Sequence, residues 1–263
     1  MADIGILHPG AMGAVVGGEL ARAGHRVCWA SAGRSLDTAE RARAAGLVDA
    51  GDVAGVLAQS DIIMSICPPH AALEVARDCA GHRGVFVDAN AVAPATARQV
   101  AAAAGGVTVD GGIIGAPPTH PGTTRLYLSG DADKAAVVAA LFTGTNVEAV
   151  VLTGDDAVAA SALKMAYAAW TKGAAALLLA VERAARELGV DAALHAEWAR
   201  SLPEVEGRLA AAEASAASKG WRWIAEMEEV AATFAAAGVP DGFHRAAAAI
   251  YRRSDQDLPT RDI

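Results

Sequence analysis

Lys164 and Lys172 stand in "ASALKMAYAAWTKGAAALLLA" (160–180), the most apolar helical stretch of the chain. The only other lysines are Lys134 and Lys219, in a chain that otherwise uses arginine for its positive charge. Lysine differs from arginine in being able to lose its proton: burial lowers its pKa, whereas guanidinium stays charged. A proton donor to a nascent alkoxide needs that ability. Residues three and four apart share a helix face. Lys164 therefore shares a narrow polar stripe with Ser161, Tyr167, Ala168 and Thr171. Lys172 lies roughly 80° further round the helix and is expected to lead towards solvent or a partner. A plainer reading of Lys164 is a packed stem with the head snorkelling outward. From the helix alone the two readings stand level.

A second chemical signal lies at the start. In "IGILHPGAMGAVVGGELARAGHRVCWA" a strand runs into a helix through His8-Pro9-Gly10-Ala11-Met12-Gly13. Glycines at such a turn let the backbone approach a dinucleotide pyrophosphate, and the helix N-terminus offers free N–H groups and partial positive charge. The usual G-x-G-x-x-G pattern has lost its first glycine to His8. The flanking strand, helix and second strand restore the context, so this turn is expected to bind a nicotinamide dinucleotide. At the end of the second strand a carboxylate would bond the 2′-hydroxyl of NAD, and an arginine would accommodate the phosphate of NADP. The chain reads Ala30-Ser31-Ala32-Gly33-Arg34-Ser35. With no carboxylate, with Arg34 as a charge-assisted donor and with Ser31 and Ser35 as hydroxyl donors, NADP is expected in preference to NAD.

Elements must hold these groups in place. Up to residue 154, short β-branched runs alternate with Ala-rich helical stretches: 4–8, 25–30, 61–67, 84–90, 107–114, 125–130 and 147–152 read as strands. Alternation of this kind means crossover units and a largely parallel sheet. From 155 to 263 the strand signals stop. A long helix is expected from about Asp155 to Leu188, capped by Gly189. At about 34 residues it would be roughly 50 Å long, enough to connect domains or reach a partner. The expected fold is an α/β Rossmann-type domain over 1–154, followed by an all-α domain over 155–263 for substrate binding and dimerisation.

Composition removes other classes. Hydrophobic residues make up 53 % and mean hydropathy is +0.28. No uncharged apolar run reaches the ~18–20 residues of a spanning helix, and no signal-peptide pattern opens the chain, so no membrane role and a cytoplasmic location are expected. A net charge of −8 argues against nucleic acid. Three scattered cysteines and dispersed histidines give neither a disulfide framework nor a metal site.

The chain also resembles the β-hydroxyacid dehydrogenase superfamily, which includes 6-phosphogluconate dehydrogenase and the imine reductases. "HPGAMG" resembles the superfamily's nucleotide loop. "CPPH" (67–70) and "VDANAVAP" (87–94) resemble segments flanking the nicotinamide, which implies cofactor contacts at Cys67, Pro68, Pro69 and Asn90. "VDGGIIGAPPTHPGTTRLYLSG" (109–130) resembles the substrate loop, and Lys164 falls where the superfamily has its catalytic lysine. The last hundred residues resemble a phosphogluconate-dehydrogenase-like branch with a short helical C-terminal domain. Two positions depart from the hydroxyacid enzymes: Ile114 replaces a substrate-holding serine, and Ala168 replaces an asparagine one turn after the lysine. "DGGIIGAPP" is closer to imine reductases, which usually have Asp or Tyr where Lys164 stands.

The resemblance implies hydride transfer between nicotinamide and a small hydroxy or oxo compound, with an acid among the candidates. Lys164 would be general acid/base, assisted by Tyr167. Gly111, Gly112, Ile113 and Ile114, with Ala168 and Thr171, would line the substrate. Imine reduction and non-catalytic NADPH sensing are the rival readings. A helix apolar around most of its circumference needs neighbours on every side, and the superfamily implies interlocked dimers, so a homodimer through the helical domain is expected.

Overall fold

The computed structural model describes residues 1–154 and 156–256. The chain divides into two compact units, Met1–Lys164 and Met165–Ile263.

The first unit is built on one eight-stranded sheet. Its strands are β1 (Asp3–Ile6), β2 (Arg26–Trp29), β3 (Val48–Asp49), β4 (Ile62–Ser65), β5 (Val85–Asp88), β6 (Val107–Gly115), β7 (Thr124–Gly130) and β8 (Val147–Val151). The order is β3-β2-β1-β4-β5-β6-β7-β8. All pairings are parallel except β6 with β7. Strand order reverses between β1 and β4, which makes the topological switch point where doubly wound sheets bind ligands. The central strands β4 and β5 are buried at every residue and read as largely apolar runs because both faces are covered. Ile62 and Met64 enter one core with Ile4, Ile6 and Val87. Ile63, between them, enters the other with Phe86, Leu7 and Val100.

The covering helices are α1 (Gly13–Arg22), α2 (Leu36–Ala44), α3 (Val53–Gln59), α4 (Ala72–Asp78), α5 (Pro94–Ala104) and α6 (Ala132–Ala140). β3 is the strand that sequence reading missed. It has two residues, both exposed, so no hydrophobic run marks it.

α7 (Ala159–Glu187) begins in the first unit and runs on into the second. It starts later than expected; Asp155 lies outside the described residues. It ends as Gly189 predicts: Gly189, with φ +69°, donates to Arg186, and Val190 donates back to Ala185. These are the two bonds of a Schellman cap. Next come α8 (Asp191–Ser201), α9 (Val205–Ala236) and α10 (Gly242–Gln256). α9, at 32 residues, is the longest described helix. Its Ala-rich first half carries no boundary signal, so the sequence shows only its Trp-rich end. No described helix is long and apolar enough to cross a membrane.

The expectation for Lys172 is corrected. Its ammonium is ion-paired with the buried Glu226 of α9, and it lies 5.6 Å from the centre of the Trp223 ring. Tyr251 of α10 donates to the Lys172 carbonyl at 2.6 Å. Lys172 thus fastens the second unit internally.

Candidate active site

The glycine turn, residues 8–13, sits at the carboxyl end of β1. Gly13 is dictated by packing, since a Cβ there would lie 2.3 Å from the His8 carbonyl oxygen. Gly10 differs: a Cβ there would meet nothing within 4 Å, so the turn is open above it. α1 follows its N-cap Met12, which makes no side-chain cap bond, and has no acid in its first turn. The Ala14 N–H is taken by the Gly10 carbonyl, and the partial positive charge of the helix start favours an anion.

Arg34, from the loop after β2, lines a cavity with His8, the first residue of the turn. This cavity, of about 230 Å³, is lined by Leu7, His8 and Arg34 with Val53, Glu74 and Asp78. Burial first, then the Arg34 charge, lowers the His8 pKa to about 4, so the imidazole is neutral near pH 7. His8 Nδ1 and Arg34 Nε are buried without hydrogen-bond partners. Orphaned polar atoms around an open glycine turn fit a polar ligand such as a dinucleotide. Ser31 and Ser35 already have protein partners: Ser31 Oγ donates to the Gly51 carbonyl at 3.3 Å, and Ser35 Oγ caps α2 by accepting from Thr38 N–H. Glu74 and Asp78, one turn apart on α4, are carboxylates near Arg34 that reading only the end of β2 missed.

Across the switch point, Cys67 and Asn90 come together. Asn90 Oδ1 accepts from the Cys67 N–H at 2.6 Å, and Asn90 Nδ2 donates to Ser65 Oγ at 3.0 Å and to Asp88 Oδ1 at 2.6 Å. The loops after β4 and β5 are thereby joined beside the opening. Burial raises the Cys67 thiol to about 11, so it stays protonated. Pro68 is exposed and Pro69 opens a short 3₁₀ turn.

Lys164 is placed by β6. The β5 pairing stops at Asp88↔Asp110, while the β7 pairing continues to Gly115↔Thr124. Beyond Asp110 the edge facing away from β7 is therefore released, and Lys164 Nζ donates to the Ile113 carbonyl at 2.8 Å. A Cβ on Gly112 would lie 2.6 Å from the Ala160 carbonyl oxygen and 3.2 Å from Lys164 Cβ. Glycine at 112 thus lets α7 rest directly on the strand. Gly111, Gly112, Ile113 and Ile114 are all buried.

Ser161, expected to share a polar face with Lys164, is fully buried. Its N–H and hydroxyl donate to Asp110 at 2.8 and 2.5 Å. Ser129 Oγ donates to Asp110 at 3.0 Å and accepts from the Ala160 N–H at 2.9 Å. Neither Asp110 nor Ser129 is visible as functional in the sequence, because both lie inside apolar strand runs. Tyr167, Ala168 and Thr171 belong to the second unit, where Tyr167 is 46 % exposed, Ala168 is buried and Thr171 is exposed. Among the described residues no cluster of ligating groups suits a metal ion.

This architecture has known counterparts. A family profile described as a domain of unknown function, DUF1932, matches residues 185–254. An uncharacterized 28.5 kDa protein of Methanothermus fervidus is 31% identical over 179 residues, 67% of this chain and 66% of that protein. The chain thus spans just under two thirds of that relative's length. The structure of the conserved protein MTH1747, of unknown function and described as similar to 3-hydroxyacid dehydrogenases, matches at 27% identity. That match covers 96% of each chain with a TM-score of 0.68. The chain is similar in fold to the 3-hydroxyacid dehydrogenases. A reductive aminase from Aspergillus terreus, solved with NADPH and ethyl levulinate, shares the fold at 22% identity. It covers 98% of this chain and 94% of that one, with a TM-score of 0.60.

Proposed function

We propose that the protein is an NADP(H)-dependent oxidoreductase acting on a small hydroxy or oxo compound, with Lys164 as general acid/base. The observation that supports this most is the Lys164 ammonium on the released edge of β6, in a unit whose glycine turn is open at the switch point. His8 to Gly13 would hold the pyrophosphate, Arg34 the ribose phosphate, and the Asn90–Cys67 pair would shape the nicotinamide end. The cofactor, when bound, supplies or accepts the hydride. Lys164 Nζ then delivers a proton to the substrate oxygen, and the Ile113 carbonyl keeps the ammonium oriented until that moment. The superfamily's NADPH-bound reductive aminase supports the choice of nicotinamide cofactor. Arg34 supports NADP over NAD, and the neighbouring carboxylates of Glu74 and Asp78 are exposed to solvent, which screens their charge.

Imine reduction is the second reading. It is favoured by the buried, apolar Ile113 and Ile114, which offer no side-chain anchor for a substrate carboxylate. Trial of the purified protein with NADPH on oxo acids, aldehydes, ketones and cyclic imines separates the two.

The second unit suits a homodimer. α7 presents Tyr167, Trp170, Leu177 and Val181, all exposed, at three- and four-residue spacing on one face. Along that face lies an apolar groove of about 760 Å³ that takes in Trp170, Leu177, Trp198 and Phe243. Trp170, Leu177 and Val181 of that stripe line the groove itself, so the two make one exposed apolar surface of the kind that a second copy of the chain would cover.

A further inference from the structure

Asp88 and Asp110 stand side by side on neighbouring parallel strands, paired in register, and both are almost fully buried. Two carboxylates so placed cannot both hold a charge cheaply. Their partners differ. Asp110 accepts three hydrogen bonds, two from Ser161 and one from Ser129, at the start of the 29-residue α7. Burial raises the Asp110 carboxyl above its ordinary range, and the Ser161 and Ser129 donors, with the positive end of the helix, pull back towards its charged form. Asp88 accepts through Oδ1 alone, from the Asn90 N–H at 3.2 Å and from Nδ2 at 2.6 Å. Its Oδ2 is buried with no partner.

We propose that Asp88 and Asp110 share a single proton, held on Asp88 Oδ2, and that the lone negative charge on Asp110 positions α7 and with it Lys164. Asp110 grips Ser161, one turn before Lys164, so rotation of this turn moves Nζ away from the Ile113 carbonyl. Asp88 is the second positioning residue: by staying neutral it leaves the Asp110 charge unopposed and orients Asn90 towards Cys67. The other titratable group facing Asp88 is the Cys67 thiol, which is itself kept protonated. Lys164 faces Ile113 instead. The direction of titration agrees: burial first, then Asp110, raises Asp88 to about 7. The role in positioning rests on the assignment of Lys164 as proton donor; the shared proton does not.

The test is a carbon-13 NMR titration of aspartate carboxyls in the full chain, free of substrate. One carboxyl should titrate near pH 7, vanish in Asp88→Asn, and move down by at least a pH unit in Asp110→Asn. A profile with every carboxyl titrating below about 5, or a high step unmoved in Asp110→Asn, overturns the pairing. Should Asp110→Asn fail to fold, thermal midpoints of wild type and Asp88→Asn decide. A raised aspartate pKa gives stability that is full below about pH 4 and lost as pH rises to about 7. The Asp88→Asn advantage must therefore widen from pH 4 to 8, and a constant gap overturns the proposal. Positioning is read separately, from turnover: the ratio of Asp88→Asn to wild-type kcat should rise severalfold between pH 6 and 8.5, and a flat ratio removes the link to Lys164. Failure of Lys164 itself would show as unimpaired turnover in Lys164→Met with the NMR result intact.

Discussion

Lys164 Nζ donates to the main-chain carbonyl of Ile113 at 2.8 Å, on the stretch of β6 that has outrun β5. The ammonium is thus held by a backbone atom of the sheet. On the proposed role of Lys164, rotamer freedom would be lost before substrate arrives, and less entropy would be spent at the moment of reaction. The glycine beneath it is part of the same device, because any side chain at 112 would strike Ala160.

Gly112→Ala should therefore displace the first turn of α7. Overpacking of this kind costs about 1–3 kcal/mol, and turnover should fall more than stability. Parallel measurement of kcat and urea midpoint checks this; a variant with both values unchanged would show that the close approach is not needed.

Gly13→Ala should act at the other end of the site. Its Cβ would lie 2.3 Å from the His8 carbonyl oxygen, a backbone atom that cannot swing aside. NADPH affinity should drop at least about tenfold, a change of about 1.4 kcal/mol. Fluorescence titration with NADPH reads it, and unaltered binding would place the pyrophosphate elsewhere.

Arg34→Ala should weaken NADPH far more than NADH. A charge-assisted bond is worth about 1.5–3 kcal/mol, roughly ten- to a hundredfold in affinity. Equal losses for the two cofactors would show that Arg34 does not read the phosphate, and would point to Glu74 or Asp78 as contacts for the ribose.

His8 gives a pH prediction. Its pKa falls from 6.5 to about 4 on folding, mainly through burial. A depressed pKa means stability that is present above about pH 6.5 and lost as pH falls towards 4. His8→Gln should match wild type at pH 7.5 and exceed it at pH 4.5 in thermal midpoint. A gap that does not change with pH would contradict the buried, neutral imidazole.

The centre of the sheet was legible because both its faces are buried: "DIIMSIC" and "GVFVDAN" are largely apolar runs of strand length, and seven of the eight strands of the sheet fall on runs read from the sequence. β3 did not, being two exposed residues. The glycine turn was legible from its flanking elements, and Lys164 from its chemical strangeness in an alanine helix. Asp88 and Asp110 were hidden, since their meaning lies in strand register, which places them side by side from positions 22 residues apart. The destination of Lys172 was hidden for a similar reason, as Glu226 lies on another helix.

The central claim is that Lys164 is the proton donor of an NADPH-dependent reduction. The most direct measurement is NADPH consumption by wild type, Lys164→Met and Lys164→Arg over small oxo acids, aldehydes, ketones and cyclic imines, with NADPH affinity measured alongside. The account predicts wild-type turnover on an oxo compound, a loss of about 10²–10⁴-fold in both variants, and unchanged cofactor binding. Near-normal turnover in Lys164→Arg, whose guanidinium cannot give up a proton, would contradict it.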